Sequence, residues 1–181
     1  AINEKRRQYG SRQELLGLSG PEGLATAYDL LSREGYEVYY PDPLLDALAK
    51  VDFIAYDSDT ESYYFIQIKT EDTLDEEPYI MATPEEVGNQ LNDEKSFLYS
   101  ATMDRPGEAQ KLKRDLKTLA EFTNKCSNAY KESFKALYLA LPSLKSSAHR
   151  RFCDAQTGLP KRDFPAIKLP DEEQHISRKG Q

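Results

Sequence analysis

Cysteine is scarce. Cys126 and Cys153 are the only two in 181 residues, so no disulfide framework holds the chain together, and a reducing, cytosolic setting is the one that fits. Histidine is equally rare, with two residues in the chain. His149 and Cys153, with Cys126 elsewhere, leave a zinc site one ligand short at a spacing that matches no standard pattern, which argues against a structural zinc. No apolar run approaches the length of a membrane span. The basic N-terminal stretch AINEKRRQYGSRQ is followed by no apolar segment of signal-peptide type. A soluble, cytoplasmic protein with no membrane partner is therefore expected. Internal repeats and low-complexity tracts are absent too, which argues against a solenoid or a linker.

What is present suits one globular domain over 1–181, because a chain of this length has room for a single sizeable core. Hydrophobic residues make up 39% and charged residues 30%, an ordinary soluble balance. The core is expected over about 20–141, with 1–19 and 142–181 as appendages. A net charge of −7 speaks against indiscriminate nucleic-acid binding. The charge is unevenly placed, however: residues 1–103 carry 8 Lys/Arg against 21 Asp/Glu, and residues 104–181 carry 16 against 10. Local basic stripes can still make a phosphate footprint, and solvated helix faces are the alternative reading.

Along the chain, Leu24, Ala27, Tyr28 and Leu31 fall at helical spacing and Gly35 stands where a helix would end, predicting a helix from Pro21 to Glu34. YEVYY, stopped by Pro41 and Pro43, reads as a strand. PDPLLDALAK is a short connection or a single helical turn. VDFIAY and YYFIQIK form a hairpin. Residues 70–83 are acidic and interrupted by Pro78, so an exposed loop is expected. Thr83 followed by Pro84 and Glu85 is a helix start. A further helix spans about Gly107 to Asn124, with Leu112, Leu116, Leu119 and Phe122 as its apolar stripe. FKALYLALP is a buried strand. Beyond it, three prolines and a charged end predict irregular chain, disordered over the last ten residues.

The hairpin carries the chemistry. A register that sets Tyr56 against Tyr63 also sets Asp52 against Gln67, and strand alternation then puts Asp52, Gln67 and Lys69 on one face. The loop between the strands must hold an even number of residues, since a slip by one separates Asp52 from the other two. A carboxylate, an amide oxygen and an ammonium at that spacing suit a hard divalent cation and its water. Mg²⁺ takes oxygen ligands and keeps several waters, and a main-chain carbonyl and a substrate phosphate would complete its shell. A lysine beside it would orient or help deprotonate the attacking water and offset charge developing on phosphorus.

Asp52, fourteen intervening residues and then Gln67-Ile68-Lys69 at the end of a second hairpin strand resembles the signature of the PD-(D/E)xK nuclease superfamily, over roughly residues 20–141. The resemblance implies an α/β fold with a restriction endonuclease-like αβββαβ core, a mixed central sheet flanked by helices. It also implies an endonuclease, dependent on Mg²⁺ or Mn²⁺, that hydrolyses DNA phosphodiester bonds in restriction, homing, junction resolution or repair, working as a dimer or tetramer. Asp52 and Gln67, with the Ile68 carbonyl, would hold the metal. Lys69 would be the catalytic lysine, and Glu22 a further carboxylate from the first helix. DNA phosphates would meet the segment Lys5 to Arg12, with Arg6, Arg7 and Arg12, and the basic C-terminal part: Lys111, Lys113, Arg114, Lys117, Arg150, Arg151, Lys161 and Arg162.

The sequence departs from the pattern at Gln67, where most members have a carboxylate, and at Val51, where many have proline. An alternative is a non-catalytic relative of phage or mobile-element origin that binds a protein through its acidic half. The plainer reading of single residues also stands: Asp52 as a strand-end acceptor of backbone hydrogen bonds, and Lys69 as a solvated edge-strand lysine.

Overall fold

The computed structural model describes residues 21–170, with side chains from Gly23 onward. The first helix, α1 (Pro21–Arg33), buries Leu24, Ala27, Leu30 and Leu31 along one stripe. It stops at Gly35, which has φ +85°. Gly35 N–H donates to the Ser32 carbonyl at 3.1 Å and Tyr36 N–H to that of Leu31 at 3.3 Å, the paired bonds that close a helix on a left-handed glycine. Strand β1 (Glu37–Tyr39) follows. PLLDALA is a seven-residue helix, α2 (Pro43–Ala49), longer than a single turn. Pro43 takes its first position, and the Asp42 carboxylate accepts from Leu44 N–H at 2.8 Å. Such a cap satisfies a donor that the helix itself leaves unpaired.

Strands β2 (Phe53–Asp57) and β3 (Ser62–Glu71) form the expected hairpin, in the register Tyr56 to Tyr63 and Phe53 to Ile66. The four residues between them make the loop even, and Asp59 N–H turns back onto the Asp57 carboxylate at 3.0 Å. After β3 come the short strand β4 (Ile80–Ala82), helices α3 (Pro84–Leu91), α4 (Phe97–Thr102) and α5 (Pro106–Ala129), strand β5 (Ser133–Pro142) and helix α6 (Ser147–Phe152). The Thr83 cap is in place, its hydroxyl accepting from Glu86 N–H at 3.2 Å. The sheet has five strands in the order β1-β2-β3-β5-β4. β3 and β5 are its parallel pair, and the other pairs are antiparallel. A parallel neighbour requires a long crossover, which the segment from β4 to α5 supplies.

Helices cover both faces of this mixed sheet. On one face Phe53, Ala55, Tyr64, Ile66, Ile68, Leu137, Leu139 and Leu141 pack with α1. On the other, Phe65, Tyr138 and Ala140 pack with Val87, Leu98, Leu112, Leu116 and Leu119 of α3, α4 and α5. Each fully buried leucine contributes on the order of 1.5–3 kcal/mol. Among the described residues no helix is long and apolar enough to cross a membrane.

Two expectations need correction. Residues 70–83 are not simply an exposed loop: β3 runs on to Glu71, Leu74 is buried, and β4 adds an edge strand on β5. The chain after β5 is largely irregular, as expected, but it is no loose appendage up to residue 170. Phe164, Ile167 and Leu169 are buried in the α1-side core. Arg33 donates to the Pro160 and Lys161 carbonyls, Tyr64 to the Pro170 carbonyl, and the Tyr36 hydroxyl accepts from Leu169 N–H. The last ten residues lie outside the described ones.

Candidate active site at the open end of the hairpin

β3 outruns β2, and that difference in length makes the site. Regular pairing ends at Phe53 and Ile66, yet Asp52 N–H also donates to the Ile66 carbonyl, at 3.0 Å. Val51 and Phe53, two residues apart, bury into opposite cores. Strand alternation is therefore broken at Asp52, as where an extra residue is inserted in a ladder. The Asp52 carboxylate takes over where the β2 backbone leaves off: its Oδ2 accepts from Ile68 N–H at 2.8 Å, in a buried setting. Asp52 is thereby fixed against the middle of the Gln67-Ile68-Lys69 tripeptide. In a strand the N–H and C=O of one residue point to the same side, so the Ile68 carbonyl is directed to this side as well.

Alternation along β3 places Gln67, Lys69 and Glu71 together on the face that carries α5. Gln67 lies beside Tyr138 of β5 in the parallel register. The Gln67 Oε1 and Tyr138 Oη atoms are buried and have no hydrogen-bond partner among the described residues. The Tyr138 hydroxyl is pushed far above its ordinary range by burial and by the nearby Glu71 charge. Glu71 is itself buried, and desolvation raises its pKa, although Lys69 and Arg105 oppose the shift. The Lys69 ammonium lies 4.0 Å from Glu108 on the first turn of α5. Arg105 stands 3.1 Å from Glu108 and 3.9 Å from Glu71.

Sequence reading missed Glu71, Arg105, Glu108 and Tyr138. Glu71 was within reach, since it continues the same-face positions 67 and 69 in QIKTE. The other three come from β5 and α5, and no local signal assigns them to this strand.

Glu22 falls on the first turn of α1, its side chain outside those described. That turn packs on the α1-side face of β3, where a Cβ on Gly23 would stand 3.1 Å from Thr70 Cγ2 and 3.4 Å from Ile68 Cγ2, the face opposite the one that carries Gln67 and Lys69. Arg6, Arg7 and Arg12 lie outside the described residues. On α5, Lys111, Arg114 and Lys117 are exposed, while Lys113 donates to the Asn92 side chain at 3.2 Å. Arg150 and Arg151 are exposed on α6, whose Phe152 packs on the α1-side core. The structure thus sets these two basic groups in different layers, on opposite sides of the sheet.

The groups expected to hold a metal, the Asp52 carboxylate, the Gln67 amide and the Ile68 carbonyl, are all hard oxygens, and the one bond between them in the structure runs from Ile68 N–H to Asp52. Among the described residues no three His, Cys, Asp or Glu side chains come together as metal ligands. Cys153 is buried with its thiol pushed up to about 11, chiefly by desolvation, which leaves it inert near neutral pH. Compared with known proteins, the chain matches no family model, no curated protein and no solved structure.

Proposed function

We propose that this protein is a metal-dependent nuclease that hydrolyses DNA phosphodiester bonds on a restriction endonuclease-like core. The observation that carries the reading is the hydrogen bond from Ile68 N–H to the Asp52 carboxylate at 2.8 Å, which ties two residues sixteen apart into one site. Its support comes from the donor chemistry: Gln67 offers a buried amide oxygen without a hydrogen-bond partner. Such an oxygen gains from a cation what burial has cost it. Asp52, Gln67 and the Ile68 carbonyl would hold Mg²⁺ or Mn²⁺, with water and a substrate phosphate completing the shell. When bound, the cation would polarise a phosphoryl oxygen and acidify a water.

Lys69, on the same strand face as Gln67, orients the attacking water, assists its deprotonation and offsets charge developing on phosphorus. Exposed Lys111, Arg114 and Lys117 extend from the site along α5 and suit backbone phosphates, which position the nucleic acid without reading its sequence. Cutting both strands takes two such sites, hence a dimer or tetramer.

The test is titration of Mg²⁺ or Mn²⁺ by calorimetry. Gln67→Glu restores a second carboxylate and should tighten binding by about 1 kcal/mol or more, since opposite charges a few ångströms apart interact on that scale even when well screened. Turnover need not rise, because tighter ground-state binding leaves the chemical step unchanged. If Gln67→Glu binds no more tightly than the parent, Gln67 lies outside the shell. A non-catalytic binding protein is then the better reading.

A further inference from the structure

Lysine carries its charge on a flexible stem, so its ammonium keeps one place only where neighbours hold it. Something must hold Lys69. On β3 its same-face neighbours are Gln67, which is neutral, and Glu71, which is buried and lies 3.9 Å from Arg105. Across the layer stands Glu108, in the first turn of the 24-residue helix α5. Its Oε2 atom is buried, although the side chain as a whole is partly exposed. Two cations flank that oxygen, Arg105 at 3.1 Å and Lys69 at 4.0 Å.

Arg105 is anchored in turn. Its guanidinium donates to the Ala101 carbonyl at 3.0 Å, near the end of α4, and to Glu108 Oε1 at 3.3 Å. The same group lies 3.9 Å from Glu71. A chain of contacts therefore runs from the α4 backbone through Arg105 and Glu108 to the ammonium. Arginine suits the clamp position because its planar fork engages a carbonyl and a carboxylate together.

We infer that Glu108 is the residue that positions the Lys69 ammonium, with Arg105 as the clamp that fixes Glu108 over β3. The inference rests on the catalytic role proposed for Lys69, but the placement can be read without any activity.

The experiment uses the full chain with ¹³C-labelled lysine, the Lys69 Cε resonance being assigned by its loss in Lys69→Arg. Glu108→Gln should move that resonance, whereas Glu121→Gln, an exposed carboxylate farther along α5, should leave it in place. In DNA cleavage Glu108→Gln should lower kcat by roughly ten- to a hundred-fold, the scale of a catalytic group displaced by about an ångström, with KM unchanged. Glu108→Asp, which keeps the charge, should recover part of the loss. In a Lys69→Ala background Glu108→Gln should cost nothing further. Should Glu108→Gln fail to fold, Arg105→Lys carries the same two readouts.

A Lys69 resonance that does not move in Glu108→Gln overturns the inference whatever the activity. So does an unchanged kcat in an active protein. A resonance that moves in a protein that cuts no DNA upholds the positioning and removes the nuclease reading instead.

Discussion

Replacing Asp52 separates its structural role from its chemical one. The carboxylate accepts from Ile68 N–H at 2.8 Å, and both residues are buried, Asp52 at 8% and Ile68 at 1% exposure. In Asp52→Ala the Ile68 N–H loses this acceptor, at a cost of about 1–3 kcal/mol for a buried donor. The bond is to a charged group, which roughly doubles its strength, so a loss of about 2–3 kcal/mol is expected. Asp52→Asn keeps an acceptor oxygen in the same place and should lose only the charge assistance, about 1 kcal/mol. Urea unfolding reads the difference: at a slope of about 2 kcal/mol/M the alanine variant should melt about 1 M or more below the parent, and the asparagine variant about half as far. Cleavage should rank the two differently. Under the proposed metal role both should be inactive, because an amide restores the hydrogen bond but not the carboxylate charge that role requires. If Asn is as damaging to stability as Ala, the Ile68 bond is not what Asp52 contributes. If Asn cuts like the parent, Asp52 is structural only.

Glu71→Gln tests the buried carboxyl. Desolvation raises the folded pKa above the unfolded one, so the native state binds more protons in between, and the stability this group contributes is complete at low pH and lost as pH rises through the folded pKa. Urea midpoints from pH 4 to 8 should therefore show Glu71→Gln level with the parent in acid and more stable at neutral pH; a deficit at neutral pH would contradict the assignment. Tyr138→Phe removes a fully buried hydroxyl without a hydrogen-bond partner among the described residues. It should leave the protein as stable as the parent or roughly 1–2 kcal/mol more stable, and a lower unfolding midpoint would show that the hydroxyl is paired.

Where short-range signals and burial agree, the sequence was legible. The register of β2 on β3 followed from matched apolar alternation and an even loop, because slipping by one residue would turn Phe53 and Ile66 out of the core. Gly35 and the Thr83-Pro84 pair announced helix boundaries through backbone chemistry that needs no tertiary context. The same parity argument stopped one residue short of Asp52, where an inserted residue breaks the alternation; nothing in VDFIAY marks that irregularity.

The packing of 159–170 under the sheet was hidden for a different reason. Phe164, Ile167 and Leu169 follow neither a helical nor a strand period, and their anchors, Arg33, Tyr36 and Tyr64, lie more than a hundred residues away. For the site, Gln67 and Lys69 could be read from one strand, whereas the expected pairing of Asp52 opposite Gln67 is not kept, since Asp52 N–H also donates to the Ile66 carbonyl. Arg105, Glu108 and Tyr138 could not be read, since a parallel strand and its crossover helix bring them there.

Cleavage itself tests the central claim most directly. Supercoiled plasmid and branched DNA, incubated with Mg²⁺ or Mn²⁺, should be cut by the parent protein, protected by a chelator, and left intact by Lys69→Ala with its fold preserved. Equal cleavage by parent and Lys69→Ala, or cutting that persists in excess chelator, would contradict the account.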